Sequence, residues 1–221
     1  SYGTFLLTLT GCAALGMRSS ISDQKKSDMR KIAVASILGD TFHGIFQGTT
    51  VFSNQQYEAN VANWRIDHEA VRVTAASIKL GAGQSVIPIM KPLATNTYMT
   101  ALAEAKKMGA DTLVLLVPSS YDNAPGLVGG YGYFQESIMG RERPCIYSLF
   151  VISVYNVATR ERLAWEWGFP IFDGPCYTTE QKIPWKAQFD LYTPTEKNQL
   201  HETIKTGIKT HIPKAIHSLG L

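Results

Sequence analysis

Few of the 221 residues have types and spacings that suggest chemistry. The five histidines, His43, His68, His201, His211 and His217, lack the i, i+4 spacing or the cysteine pairs that give a metal ion convergent ligands. The reading therefore includes no metal and no cofactor. Ser119 and Ser120 follow an apolar run from Thr112 to Val117, at the strand end where open α/β sheets place ligands, but no G-x-S-x-G elbow surrounds them. Asp40, His43 and Ser119 are the acid, base and hydroxyl that a hydrolase would have to draw on, and only the fold can bring them together. Gly126, Gly129, Gly130 and Gly132 lie among Tyr131, Tyr133 and Phe134 without the lysine and serine of a phosphate loop. The segment from Pro118 to Phe134 reads instead as a long surface loop, and its Tyr121, Tyr131, Tyr133 and Phe134 as an interaction surface.

The elements that position these groups follow from periodicity. Lys31 to Leu38 is a buried-strand run stopped by Gly39-Asp40, and the segment from Phe42 to Phe52 is expected beside it as an antiparallel neighbour. A helix is predicted from His68 to Leu80 with Asp67 as N-cap and Gly81 at its end, then an edge strand from Ser85 to Met90 containing Pro88. Asn96 caps a second helix through Met108, closed by Gly109, and the Thr112 to Val117 strand follows. This order predicts an α/β, or α+β, fold with a mixed sheet covered by helices. Tyr147 to Tyr155 and Leu163 to Ile171 then form a hairpin about a polar turn at 156–162, with Trp165, Trp167 and Phe169 on one face. Those aromatics read as core, or as the wall of a small-ligand carrier if a pocket encloses them. Thr193-Pro194 opens a terminal amphipathic helix with Leu200, Ile204, Ile208 and Ile212 at four-residue spacing, which Pro213 should break or kink.

Composition limits the function. Hydrophobic residues at 45% and charged residues at 18% describe a chain able to bury a core. The net charge of +3 comes from 21 basic and 18 acidic residues spread along the chain, without the basic stripe that a nucleic-acid partner requires.

The beginning of the chain has a different character. Phe5 to Leu9 is an apolar run far short of the ~20 residues needed to cross a bilayer, but of the size of a signal-peptide core. Leu9-Thr10-Gly11-Cys12, directly after it, resembles the lipobox of bacterial lipoproteins: a branched apolar residue, two small residues and the cysteine that receives lipid. The resemblance implies cleavage before Cys12 and acylation of its sulfur, with membrane lipid as a partner. Ala13 and Ala14, in place of aspartate, imply the periplasmic face of the outer membrane. The chain opens at Ser1 without a methionine or a basic run, so the true start is expected further upstream. On this reading residues 1–11 are a signal remnant, 12–30 a lipidated tether and 31–221 a single domain. With Cys12 consumed by lipid, Cys145 and Cys176 are left as an even pair for a disulfide in an oxidising periplasm, or as two buried thiols.

Taken along its length, the chain is similar to envelope lipoproteins of proteobacteria. The likeness is carried by the lipobox, the strand pair within 32–52, Gly109-Ala110-Asp111-Thr112, Gly130-Tyr131-Gly132 and the terminal Leu219-Gly220-Leu221. More loosely, it resembles the α/β domains of periplasmic accessory lipoproteins that dock on synthases or secretion assemblies. That resemblance implies a non-enzymatic binding or structural role beside another envelope protein or a second copy. The enzyme alternative rests on Gly39-Asp40-Thr41, which is similar to the Gly-Asp-Ser block of SGNH hydrolases. Here threonine replaces the serine and no Asp-x-x-His follows near the end of the chain, so nucleophile and base are both missing from that pattern.

Overall fold

The computed structural model describes residues 20–93, 97–123, 126–169, 174–177 and 182–221; Cys12 and the rest of the lipobox lie outside them. The elements run α1 (Asp23–Asp28), β1 (Lys31–Ser36), β2 (Thr41–Gln47), β3 (Gln55–Asn60), α2 (Ile66–Ser77), β4 (Ser85–Pro88), α3 (Tyr98–Lys107), β5 (Thr112–Pro118), β6 (Gly130–Ile138), β7 (Arg141–Asn156), β8 (Arg162–Trp167), β9 (Cys176–Tyr177) and α4 (Pro194–Ser218). The fold is α+β, built on one mixed sheet of nine strands among the described residues.

The sixteen-residue β7 organises everything else. Its second half, Phe150 to Asn156, pairs antiparallel with β5, and its first half, Arg141 to Leu149, pairs antiparallel with β6. Two half-sheets therefore lie end to end along one strand. The first has the order β4-β1-β5-β7, with β4, β1 and β5 parallel and β8 also on β7. The second has the order β3-β2-β6-β7, with β9 also on β7.

Helices close the first half-sheet on both faces, because its central strands are apolar on both. Ile32, Val34, Val114 and Leu116 point towards α2 and α4, whereas Ala33, Ala35, Leu113 and Leu115 point towards Ala101, Leu102 and Ala105 of α3. Gly109, at φ 71°, ends the α3 segment in the left-handed turn that glycine makes without steric cost. In α4, Thr193 and Glu196 form a capping box, and Leu200, Ile204, Ile208, Ile212 and Ile216 are all fully buried.

Several expectations need correction. Residues 20–30 are not a bare tether: Ile21 and Met29 are buried, Ile21 N donates to Leu219 O, and Gln84 Nε2 donates to Lys26 O and Met29 O. Two apolar side chains suffice to dock the segment, too few for a periodicity to reveal. The Phe42 to Phe52 segment does not pair with β1; β2 lies between β3 and β6, and Val51–Ser53 is a short 3-10 turn. The first long helix begins at Ile66, so Asp67 lies inside its first turn and Arg65, at φ 52°, takes the cap position. Asn96 lies outside the described residues, and Thr97 caps α3 through Thr100 N. Pro213 does not break α4, which runs through it as one helix of 25 residues; the burial of Ile212, Ala215 and Ile216 on either side outweighs the one backbone hydrogen bond that proline removes.

Candidate functional site

The first half-sheet has a crevice where parallel α/β sheets place ligands, beyond the carboxyl ends of β1 and β4 and at the start of α2. It encloses about 300 Å³, and Ser36, Asp40, Arg65, Asp67, His68 and Lys91 supply its polar lining. Asp67 is its most extensively hydrogen-bonded group. Its carboxylate accepts from Leu38 N at 2.8 Å, from Gly39 N at 3.1 Å and from the Ser36 hydroxyl, and so fixes the loop that leaves β1. Burial holds its pKa above the ordinary carboxylate range, against the opposite pull of those hydrogen bonds. The Tyr131 hydroxyl donates to Gly39 O at 2.8 Å and holds the same loop from the other side. With the Ser36 hydroxyl committed to Asp67, the arrangement works as a clamp on the loop. Lys91 pairs with Glu104 at 2.6 Å across the lip.

The hydrolase trio does not assemble. Asp40 is exposed at the crevice, His43 lies on β2 with Nδ1 3.5 Å from Glu58, and the Ser119 hydroxyl donates to Ser120 O. No hydrogen bond or ion pair joins these three among the described residues. The Ser119 backbone lies against Gly129 and the His43 ring beside Gly130, but β2 enters the other half-sheet from β1 and the three side chains form no convergent hydrogen-bonded cluster. Burial lowers the His43 pKa, and the nearby Glu58 opposes it.

The aromatic segment is largely interior. Tyr131 and Tyr133 are fully buried on β6, and Tyr133 donates to Ile183 O at 2.5 Å. Phe134 is half-buried opposite Cys145, and Tyr121 is half-buried with its ring 5.0 Å from Trp167 and 5.2 Å from Phe169. Of the expected surface of Tyr121, Tyr131, Tyr133 and Phe134, Tyr131 and Tyr133 are thus corrected to core residues, and Tyr121 and Phe134 are only partly exposed. The glycines between the tyrosines permit close strand pairing: a Cβ on Gly132 would collide with the His43 backbone on β2.

Cys145 of β7 and Cys176 of β9 form a disulfide that closes a separation of 31 residues. Trp165 and Trp167 are half-buried, edge to face at 5.6 Å. No group of three or more His, Cys, Asp and Glu placed to hold a metal ion occurs among the described residues. No helix among them is long and apolar enough to cross a membrane.

The second half-sheet ends in a surface that sequence reasoning missed. The β2–β3 and β6–β7 turns lie side by side at the first-residue end of β7. Thr49 Oγ1 links them, donating to Ser137 O and accepting from Met139 N, each at 3.3 Å. Phe52 is 96% exposed, Met139 86% and Val51 76%, with Ile138 beside them at 40%. The sequence holds a signal for it: the β-branched residues of Thr49 to Phe52 suit the expected strand to Phe52, but the polar Ser53-Asn54 that follows also suits a turn. Compared with family models, curated proteins and solved structures, the chain matches none of them.

Proposed function

We propose that this protein is a lipoprotein of the outer membrane, acylated on Cys12 at the periplasmic face. Its α+β domain has a non-enzymatic binding or structural role in an envelope protein assembly. The observation that carries the reading is the Cys145–Cys176 disulfide. Such bonds persist in oxidising compartments, and this one leaves Cys12 of Leu9-Thr10-Gly11-Cys12 as the odd thiol, at the position a lipid would occupy. Each buried acyl methylene contributes ~0.8 kcal/mol, so several chains on one sulfur-bearing terminus hold a domain permanently at a bilayer.

Binding is favoured over turnover by what the polar groups already do. Ser36 and Asp67 hold a loop, while Asp40, His43 and Ser119 share no hydrogen bond or ion pair among the described residues. The test is fractionation of cells carrying the wild type or Cys12→Ala, followed by crosslinking and co-purification. The wild type is expected in the membrane fraction with a reproducible partner, and Cys12→Ala in the soluble periplasmic fraction. Equal partitioning of the two forms would refute the anchor, and repeated recovery of the protein alone would refute the assembly role.

A further inference from the structure

The paired turns at the end of the second half-sheet have properties that ordinary loops lack. No charged residue lies between Gln47 and Gln56, and the turn places Val51 and Phe52 outward. Its polar backbone is largely closed on itself: Gly48 N donates to Asn54 Oδ1 at 3.0 Å, Ser53 N to Thr50 O at 3.0 Å, and the Ser53 hydroxyl to Thr50 O at 2.7 Å. The adjoining β6–β7 turn has Met139 and Gly140 at its corner, at φ 50° and 76°. That two-residue turn favours Asn-Gly, and a methionine held in the left-handed region is strained. The strained corner holds an apolar side chain out in solvent. Behind the apex stands Arg141, exposed and without an ion-pair partner among the described residues. Arg143, 74% exposed, reaches Glu136 only at 3.5 Å.

We infer that this tip, Val51, Phe52, Ile138 and Met139, inserts into the interfacial region of a phospholipid bilayer with Arg141 at the headgroups. An apolar apex, self-satisfied backbone and a cation set back from the apex are what shallow insertion requires. A second copy is the weaker occupant, since these four side chains offer on the order of 500 Å², short of the ~800 Å² per partner of a stable interface. The tip is also remote from α1. Lys25 and Asp28 of α1 lie with Asn156 at the far end of β7, roughly 50 Å of strand away. Insertion at the tip thus attaches the end of the domain opposite α1. The inference rests on the envelope reading only for the presence of a bilayer.

The test uses the full chain carrying Cys12→Ser, with its disulfide formed, so that no acyl group contributes. It is mixed with vesicles of phosphatidylethanolamine and phosphatidylglycerol. The protein is expected to co-sediment, and the double variant Phe52→Ser with Met139→Asn to lose at least tenfold of the bound fraction. Asparagine suits the left-handed turn, so this variant keeps its fold, which circular dichroism checks. In the same background Phe52→Cys, labelled with an environment-sensitive dye, should shift to shorter emission wavelength with vesicles and be quenched by spin-labelled lipid. Failure to co-sediment, equal sedimentation of the double variant, or an unmoved dye would overturn the proposal. So would a lipid-free dimer that the double variant abolishes, which would give the tip to a second copy. None of these outcomes touches acylation at Cys12, which is read separately from the mass of that peptide.

Discussion

The two halves of β7 carry opposite designs. Around Phe150 to Asn156 the sheet is covered on both faces by helices, and Ser36, Asp67 and Lys91 of its crevice are already paired. Around Arg141 to Leu149 the sheet ends in turns whose Val51, Phe52 and Met139 side chains are mostly exposed. In the first region satisfied hydrogen bonds and burial act together to stabilise the fold. In the second, apolar exposure and a strained methionine oppose stability, the kind of local cost that folds keep where a surface has work to do.

Removing the disulfide by C145A with C176A should give the largest change. Closing a loop of this length contributes about 3.5 kcal/mol, so the urea midpoint should fall accordingly; an unchanged midpoint would mean that the second half-sheet is held without the bridge. In the first half-sheet, Asp67→Ala leaves Leu38 N and Gly39 N without their acceptor, at about 3 kcal/mol. Asp67→Asn should recover part of that loss, because its amide oxygen still accepts from Leu38 N. At the tip the sign reverses. Met139→Asn should stabilise the protein by about 1 kcal/mol by relieving the left-handed strain, and a destabilised variant would remove the contrast between the halves.

The smallest effect is in pH dependence. Burial lowers the His43 pKa, so below the unfolded value of about 6.5 the unfolded chain binds a proton that the native state resists. Stability therefore falls as pH drops through that range and levels off below the folded pKa. His43→Gln should make the decline shallower without removing it, because burial holds His201 low in the same way. A decline as steep as that of the wild type would show that His43 is protonated as easily in the fold as outside it.

Legibility in the sequence followed the same division. In the first half-sheet β1, β4, α3 and β5 could be read from periodicity and end signals, since local pattern and tertiary packing agree there. The α4 stripe from Leu200 to Ile212 was equally plain, although Pro213 suggested a break that packing overrides. The second half-sheet was hidden because its pairings are not between sequence neighbours: β2 meets β6 some ninety residues later, and nothing local in Thr41–Gln47 specifies that partner. Tyr131 and Tyr133 misled for a related reason, since the glycines beside them mimic a loop while serving strand contact. Asp67 was visible as a helix-start residue, but its bonds to Leu38 and Gly39 reach across nearly thirty positions and leave no local trace.

The most direct test of the envelope reading is the mass of the peptide containing Cys12, isolated from the membrane fraction of cells that make the protein. The account predicts a chain beginning at Cys12, with residues 1–11 removed and acyl chains on the cysteine. A bare Cys12 still joined to Gly11 would contradict it.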